Sequence, residues 1–190
     1  MNPAQLIYLS SMVVYGDQTS VPREESESIS PSQPYGMHKK QLENECLSYA
    51  KATVLRLSNV YGPQLVKGTV ISDINDQLIQ SGDIRIKNHD SIRDFLHIED
   101  LCKAVEILID QPQSGLFNLG SGEGTSVYQI AKKMLAISGN QKRNIVSSHS
   151  TSNSSVLILD ISKIRKKTGW NPRWSLEDGL TTIIEKHIAK

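Results

Sequence analysis

Continuous apolar runs alternate with amphipathic stretches along this chain. Leu6 to Leu9 is apolar without a break and ends in Ser10 and Ser11, the pattern of a strand buried on both faces. A polar stretch from Gly16 to Pro34 follows; its acids Glu24, Glu25 and Glu27 read as a solvated loop. Pro34 suits a first helical position, and a helix is predicted from there to about Lys51. Thr53 to Ser58 is a second buried strand, and Asn59-Val-Tyr-Gly-Pro63 reads as a turn.

Helical spacing of Val70, Ile71, Ile74 and Leu78 predicts a helix from Val70 to Gln80, closed by Gly82. Ile84 to Ile86 and Phe95 to His97 are short strands. From Ile98 to Asp110 the chain reads as a helix with Leu101, Ala104, Val105, Leu108 and Ile109 on one face. Gly115 to Leu119 is a third strand, and Gly120-Ser-Gly-Glu-Gly124 leads into a helix capped by Ser126. Ile145 to Ser147 and Val156 to Leu159 are further strands, separated by a Ser/Thr/Asn-rich run from Ser147 to Ser155 that reads as a mobile loop. Helices from Ile161 to Thr168 and from Leu176 to His187 close the chain, joined by Gly169-Trp-Asn-Pro172. Strands alternating with helices, without an internal repeat, predict an α/β architecture.

Composition narrows the function more by exclusion than by direction. The 190 residues, 38% apolar and 22% charged, allow one good core or one domain with part of another. A net charge of +1 gives no reason to expect nucleic acid or an acidic membrane as partner. The basic run Lys163 to Lys167 reads as a solvated helix face. No apolar stretch approaches the length of a membrane span, and the histidines lack metal-ligand spacing, so neither a membrane nor a metal is expected. Cys46 and Cys102 read as buried or half-buried thiols in a reducing compartment, with the cytoplasm as the default location.

Chemistry concentrates near the amino terminus. Tyr35 and Lys39 are four apart, so on a helix they share a face. An ammonium beside a phenol favours the phenolate, which makes such a pair a base for a hydroxyl proton. Ser11, at the end of the first strand, can hydrogen-bond the same substrate oxygen. Tyr-x-x-x-Lys alone is a weak signal, and Tyr128 to Lys132 repeats it. No serine-ended apolar strand precedes that second copy, which reads as helix packing. The glycine cluster at 120–124 superficially suggests a dinucleotide loop, but its G-x-G-x-G spacing and the absence of a following acid argue for a structural turn.

Ordered motifs supply the missing context. Tyr8-Leu-Ser-Ser-Met-Val-Val-Tyr-Gly16, Pro34-Tyr-Gly-Met-His-Lys39, Arg56-Leu-Ser-Asn-Val-Tyr-Gly-Pro63, Arg93-Asp-Phe-Leu-His-Ile-Glu-Asp100 and Phe117-Asn-Leu-Gly-Ser121 occur in that order, followed by Leu159-Asp-Ile-Ser-Lys163 and Gly169-Trp-Asn-Pro172. In these the chain resembles the carboxyl-terminal portion of the extended short-chain dehydrogenase/reductases, the NAD-dependent nucleotide-sugar epimerase/dehydratase family. The resemblance implies a partial Rossmann-like parallel sheet, made of its C-terminal strands only, with a small α+β substrate-binding region. Residues 1–64 would belong to the dinucleotide-binding domain and 65–190 mainly to the nucleotide-sugar region, with 98–120 returning to the Rossmann sheet.

By position, Ser11 resembles the family's catalytic Ser/Thr, Tyr35 its general base and acid, and Lys39 the residue holding the nicotinamide ribose of NAD or NADP. Asn59 and Arg93 match positions that contact the diphosphate sugar, and a guanidinium fork suits phosphate oxygens. The plainer alternatives are a strand-end hydroxyl for Ser11, a turn amide for Asn59, and an ion pair with Asp94 or Asp100 for Arg93.

Two departures from the family narrow the reaction. Dehydratase relatives carry Asp-Glu after the catalytic hydroxyl, and this chain has Met12 and Val13, which neither donate nor accept a proton. Decarboxylating relatives, which carry a glutamate nearby, are disfavoured for the same reason. That leaves 4-epimerisation, or reduction of a 4-keto-deoxysugar nucleotide, on a UDP- or dTDP-hexose. Ser150 and Asn153 stand where relatives place an arginine and an acid. Losing that arginine forgoes a charge-assisted phosphate contact of about 1.5–3 kcal/mol.

The family's glycine-rich cofactor loop is not within this sequence, nor is the acid that separates NAD from NADP. The expectation is a fragment without measurable NAD(H) affinity of its own. Its first strand would be an open apolar edge, and it would form either a homodimer or an aberrant edge-strand association. The reading of another class is a non-catalytic remnant or partner-binding protein.

Overall fold

A computed structural model describes residues 5–16, 22–147 and 155–188. β1 (Leu6–Ser11) runs into a 3₁₀ turn over Met12–Tyr15, and α1 (Pro34–Leu47) returns the chain to β2 (Ala52–Leu57) and β3 (Asn59–Tyr61). α2 (Val70–Leu78), β4 (Ile84–Ile86), β5 (Ile92–His97), α3 (Ile98–Asp110) and β6 (Gly115–Leu119) come next. β7 (Gly124–Ser126), α4 (Val127–Ile137), β8 (Ile145–Ser147), β9 (Val156–Leu157), α5 (Ser162–Thr168) and α6 (Leu176–Ile188) complete the order.

The apolar runs form a parallel sheet in the order β1-β2-β6, with Leu6 opposite Ala52 and Thr53 opposite Gly115. β5 organises the other layer, pairing in parallel with β3 and β9 and antiparallel with β7; β4 pairs with β8. One apolar cluster fills the space between the main sheet, α3 and α5, around Leu55, Leu108, Phe117, Ile164 and Trp170. A second joins α2, α4 and α6 through Ile74, Ile130, Met134 and Ile183. The architecture is α/β, as the alternation of elements predicts.

Several local expectations are corrected. α1 stops at Leu47 rather than near Lys51, because Ser48 turns back and its hydroxyl donates to the Glu45 carbonyl at 2.7 Å. Asn59–Tyr61 is a strand rather than a turn, since β5 offers it a parallel edge. The 24–27 acids are not simply solvated. Glu25 accepts from the Asn118 amide at 2.8 Å, and Glu27 pairs with the buried Arg23 at 2.8 Å. On α3, Leu101, Ala104 and Leu108 are buried, but Ile109 is 60% exposed. Cys102 is exposed on the same helix, and Cys46 is half-buried as expected. The glycine cluster is a turn, as the spacing suggests. The buried Asp94 carboxylate accepts from Ser121 N and Oγ (2.8 and 2.7 Å) and from Gly122 N (3.0 Å). A side chain at Gly120 would collide with that carboxylate.

Candidate active site

The end of β1 is shaped by backbone as much as by side chains. Ser11 Oγ accepts from Val13 N at 3.4 Å and caps the 3₁₀ turn, whose Met12, Val14 and Tyr15 are buried. Gly16 ends the turn at φ 73°, with the Ser30 carbonyl in the space a Cβ would need. Pro34 opens α1, and Gly36 lets the helix start lie against the Val13 carbonyl, 3.2 Å from where a Cβ would stand. Tyr35 is therefore presented at the mouth of β1, 58% exposed, and no described residue bonds its hydroxyl. One turn later Lys39 Nζ donates to the Leu9 carbonyl at 2.8 Å, 5.7 Å from the centre of the Tyr35 ring and 4.9 Å from that of Tyr8.

Ser11, Tyr35 and Asn59 line one cavity of about 580 Å³, with Ser58, Gln64 and Thr69. Asn59 also borders a second cavity of about 640 Å³ that contains Arg93, Arg85, Lys87 and Ser91. The structure thus brings Ser11, Tyr35 and Asn59 together and sets Arg93 across the shared wall. Lys39 lines neither cavity and faces the open edge of β1.

Arg93 donates to the Ser155 carbonyl and hydroxyl at 2.7 and 2.6 Å and to the Ile92 carbonyl at 2.9 Å. Asp94 and Asp100 are engaged elsewhere: Asp94 holds the glycine turn, and Asp100 accepts from the Arg173 and Trp174 amides. Ser150 and Asn153 lie outside the described residues.

Sequence reasoning missed three groups here. Ser58 is buried in the first cavity wall, and its Oγ has no hydrogen-bond partner among the described residues. Arg85 on β4 and Lys87 immediately after it both line the second cavity, and the alternation Arg-Ile-Lys was a readable signal for two cations on one side of an extended segment. Tyr61 also lines the first cavity, but burial, then Asp100 and Asp178, pushes its hydroxyl well above the usual range, so it stays protonated. Tyr128, the second copy of the spacing, packs its ring 4.5 Å from that of His89 and lines neither cavity.

The donor set at the mouth of β1 suits the ribose of a nicotinamide nucleotide. An ammonium carries three donors, and Lys39 spends one on Leu9, leaving capacity for ribose hydroxyls beside the exposed Tyr35. Among the described residues no cluster of His, Cys, Asp and Glu is arranged to hold a metal, and no helix is long and apolar enough to cross a membrane.

The sequence model of the NAD-dependent epimerase/dehydratase family matches residues 1–120. The chain belongs to that family. Among its relatives, a UDP-glucose 4-epimerase of Corynebacterium glutamicum is 27% identical over 95% of this chain and 61% of its own length. A dTDP-L-rhamnose 4-epimerase of Burkholderia thailandensis is 30% identical over 79% of this chain and 45% of its own. A solved UDP-glucose 4-epimerase of Thermotoga maritima with UDP-glucose superposes with a TM-score of 0.88 at 29% identity, covering 97% of this chain and 63% of that one. RMD from Pseudomonas aeruginosa, complexed with NADPH, also reaches 0.88, at 23% identity, and speaks to the fold alone. This epimerase/dehydratase-family chain spans about three fifths of the length of the first of these relatives.

Proposed function

We propose that these residues form the catalytic and nucleotide-sugar portion of an NAD(P)-dependent nucleotide-sugar 4-epimerase. The observation that carries the reading is the single cavity lined by Ser11, Tyr35 and Asn59, sharing a wall with one that holds Arg93. Tyr35 takes the proton of the sugar 4-hydroxyl and later returns it, while Lys39 stabilises negative charge on the phenol and holds the ribose. Ser11 donates to the C4 oxygen and steadies the charge that develops there. Arg93 and Asn59 hold the diphosphate, with Arg85 and Lys87 adding positive charge to the same cavity. NAD(P), when bound, supplies the hydride acceptor and donor at C4.

Met12 is buried, and neither it nor Val13 carries a proton-transferring group, which favours epimerisation over dehydration. Two of the relatives above are 4-epimerases of UDP- and dTDP-sugars, so a UDP- or dTDP-hexose is the proposed substrate.

The test is interconversion of C4 epimers, followed by NMR with NAD present, in the natural polypeptide that carries these residues. Tyr35→Phe is expected to lower turnover by about 10²–10⁴-fold. Undiminished turnover in that variant overturns the assignment. No conversion of any UDP- or dTDP-hexose by the unmodified protein leaves the partner-binding reading.

A further inference from the structure

The helix that presents Tyr35 and Lys39 has almost no apolar face with which to seat itself. Of its fourteen residues only Gly36 and Glu43 are fully buried. Tyr35, Lys39 and Glu43 follow at intervals of four and form one stripe on α1. Glu43 is 1% exposed, and its carboxylate accepts from Arg56 Nε at 3.1 and 3.2 Å and from Arg56 Nη2 at 2.8 Å. It also accepts from Ser10 Oγ at 2.6 Å. Ser10 and Arg56 are register partners on β1 and β2, and Ser10 immediately precedes Ser11. One carboxylate therefore ties α1 to both strands, one residue from the serine and one helical turn from the lysine.

We propose that Glu43, with Arg56 and Ser10, is a positioning device that sets the placement of Tyr35 and Lys39 relative to Ser11. Stability alone does not explain it. A buried ion pair often breaks even or loses against apolar residues of similar volume, because both charges give up their hydration. Direction is what the pair adds. The bidentate fork fixes how α1 lies on the sheet, where a smooth apolar contact would let it slide or turn. The Arg56 guanidinium is itself held 4.7 Å over the Tyr15 ring, and the Tyr15 hydroxyl donates to Asn118 on β6 at 2.7 Å. The device is thus anchored across all three strands of the sheet.

The inference rests on the proposed catalytic roles of Tyr35 and Lys39, but its main test does not need turnover. Lys39 acetylation is timed by mass spectrometry, with exposed Lys51 and Lys67 as internal references, in the unmodified chain and in a Glu43→Met/Arg56→Met double variant. The double variant is expected to hold its melting temperature to within about 2–4 °C. Its Lys39, released from the Leu9 carbonyl, should acetylate at least threefold faster relative to the references. An unchanged Lys39 rate in the folded double variant overturns the proposal. If that variant does not fold, Ser10→Ala, which removes a single hydrogen bond, must show a rise in the same direction; no rise overturns it equally.

In the turnover assay the double variant should lose about 10²-fold in kcat with KM little changed, as for a displaced reacting group. A Tyr35→Phe variant with full turnover would remove the catalytic reading, and the acetylation result would still decide whether Glu43 sets the helix.

Discussion

His97 shows how one buried side chain can carry several loads. It is 2% exposed, and its Nδ1 accepts from the Glu99 amide at 3.3 Å, capping α3. Its ring stacks on Trp174 with centres 4.1 Å apart, and Nε2 has no hydrogen-bond partner among the described residues. Burial lowers its pKa below the ordinary 6.5, against the opposing pull of Glu99 and Asp100. The unfolded chain therefore binds the proton more readily than the folded one. The stabilising contribution is present above about pH 6.5 and is lost as pH falls through the folded value. Thermal melts should show a falling midpoint from pH 7 to pH 5. His97→Asn, which keeps a capping side chain without the titration, should flatten that slope. Nothing in the sequence marked His97 for this part, because the ring it stacks on is 77 residues further along the chain.

Elements whose signals are local were readable in advance. α4 begins where Ser126 predicts, and the structure adds its reciprocal partner: Ser126 Oγ accepts from Gln129 N at 3.1 Å while Gln129 Oε1 accepts from Ser126 N at 2.9 Å. Ser126→Ala should cost about 1 kcal/mol, read as a lowered midpoint in urea at unchanged slope. α1 was legible at its start, through Pro34, but not in what seats it, because the buried Glu43 looks like any solvent-facing acid on a polar helix. β3 was missed because three residues make a strand only when a partner edge is present. Ile109 was misplaced for a related reason: periodicity marks an apolar stripe, and the width of the surface facing it decides which residues are covered.

At the scale of the molecule, the two apolar clusters meet through β5. Leu96 belongs to the cluster under the main sheet, and its neighbour Phe95 to the one between α2, α4 and α6. Asp100 reinforces that join. Its carboxylate accepts from Arg173 N and Trp174 N at 2.9 and 3.1 Å, and its carbonyl accepts from Trp170 Nε1 at 3.1 Å. Melts followed by tryptophan fluorescence and by far-ultraviolet circular dichroism should coincide in the unmodified chain. Asp100→Ala strips acceptors from two backbone amides and should cost about 1–3 kcal/mol, with the fluorescence transition moving ahead of the dichroism one.

The sequence by itself determined the α/β alternation, the positions of the first two strands, the start of α1 and the ordered motifs that mark the family. These are encoded over short stretches, in periodicity, caps and spacing. Of the two strands read as buried only β2 is so, because β1 lies at the end of the sheet order and leaves Leu6 and Leu9 exposed. Only the tertiary structure decided that Ser11, Tyr35 and Asn59 share one cavity, that Arg93 stands across its wall, and that Asp94 serves the glycine turn. It also decided that Glu43, Arg56 and Ser10 meet under α1. Each of those outcomes joins residues far apart in the chain. Whether a polar side chain there binds a ligand, holds a turn or seats a helix depends on which partner folding brings within hydrogen-bonding distance.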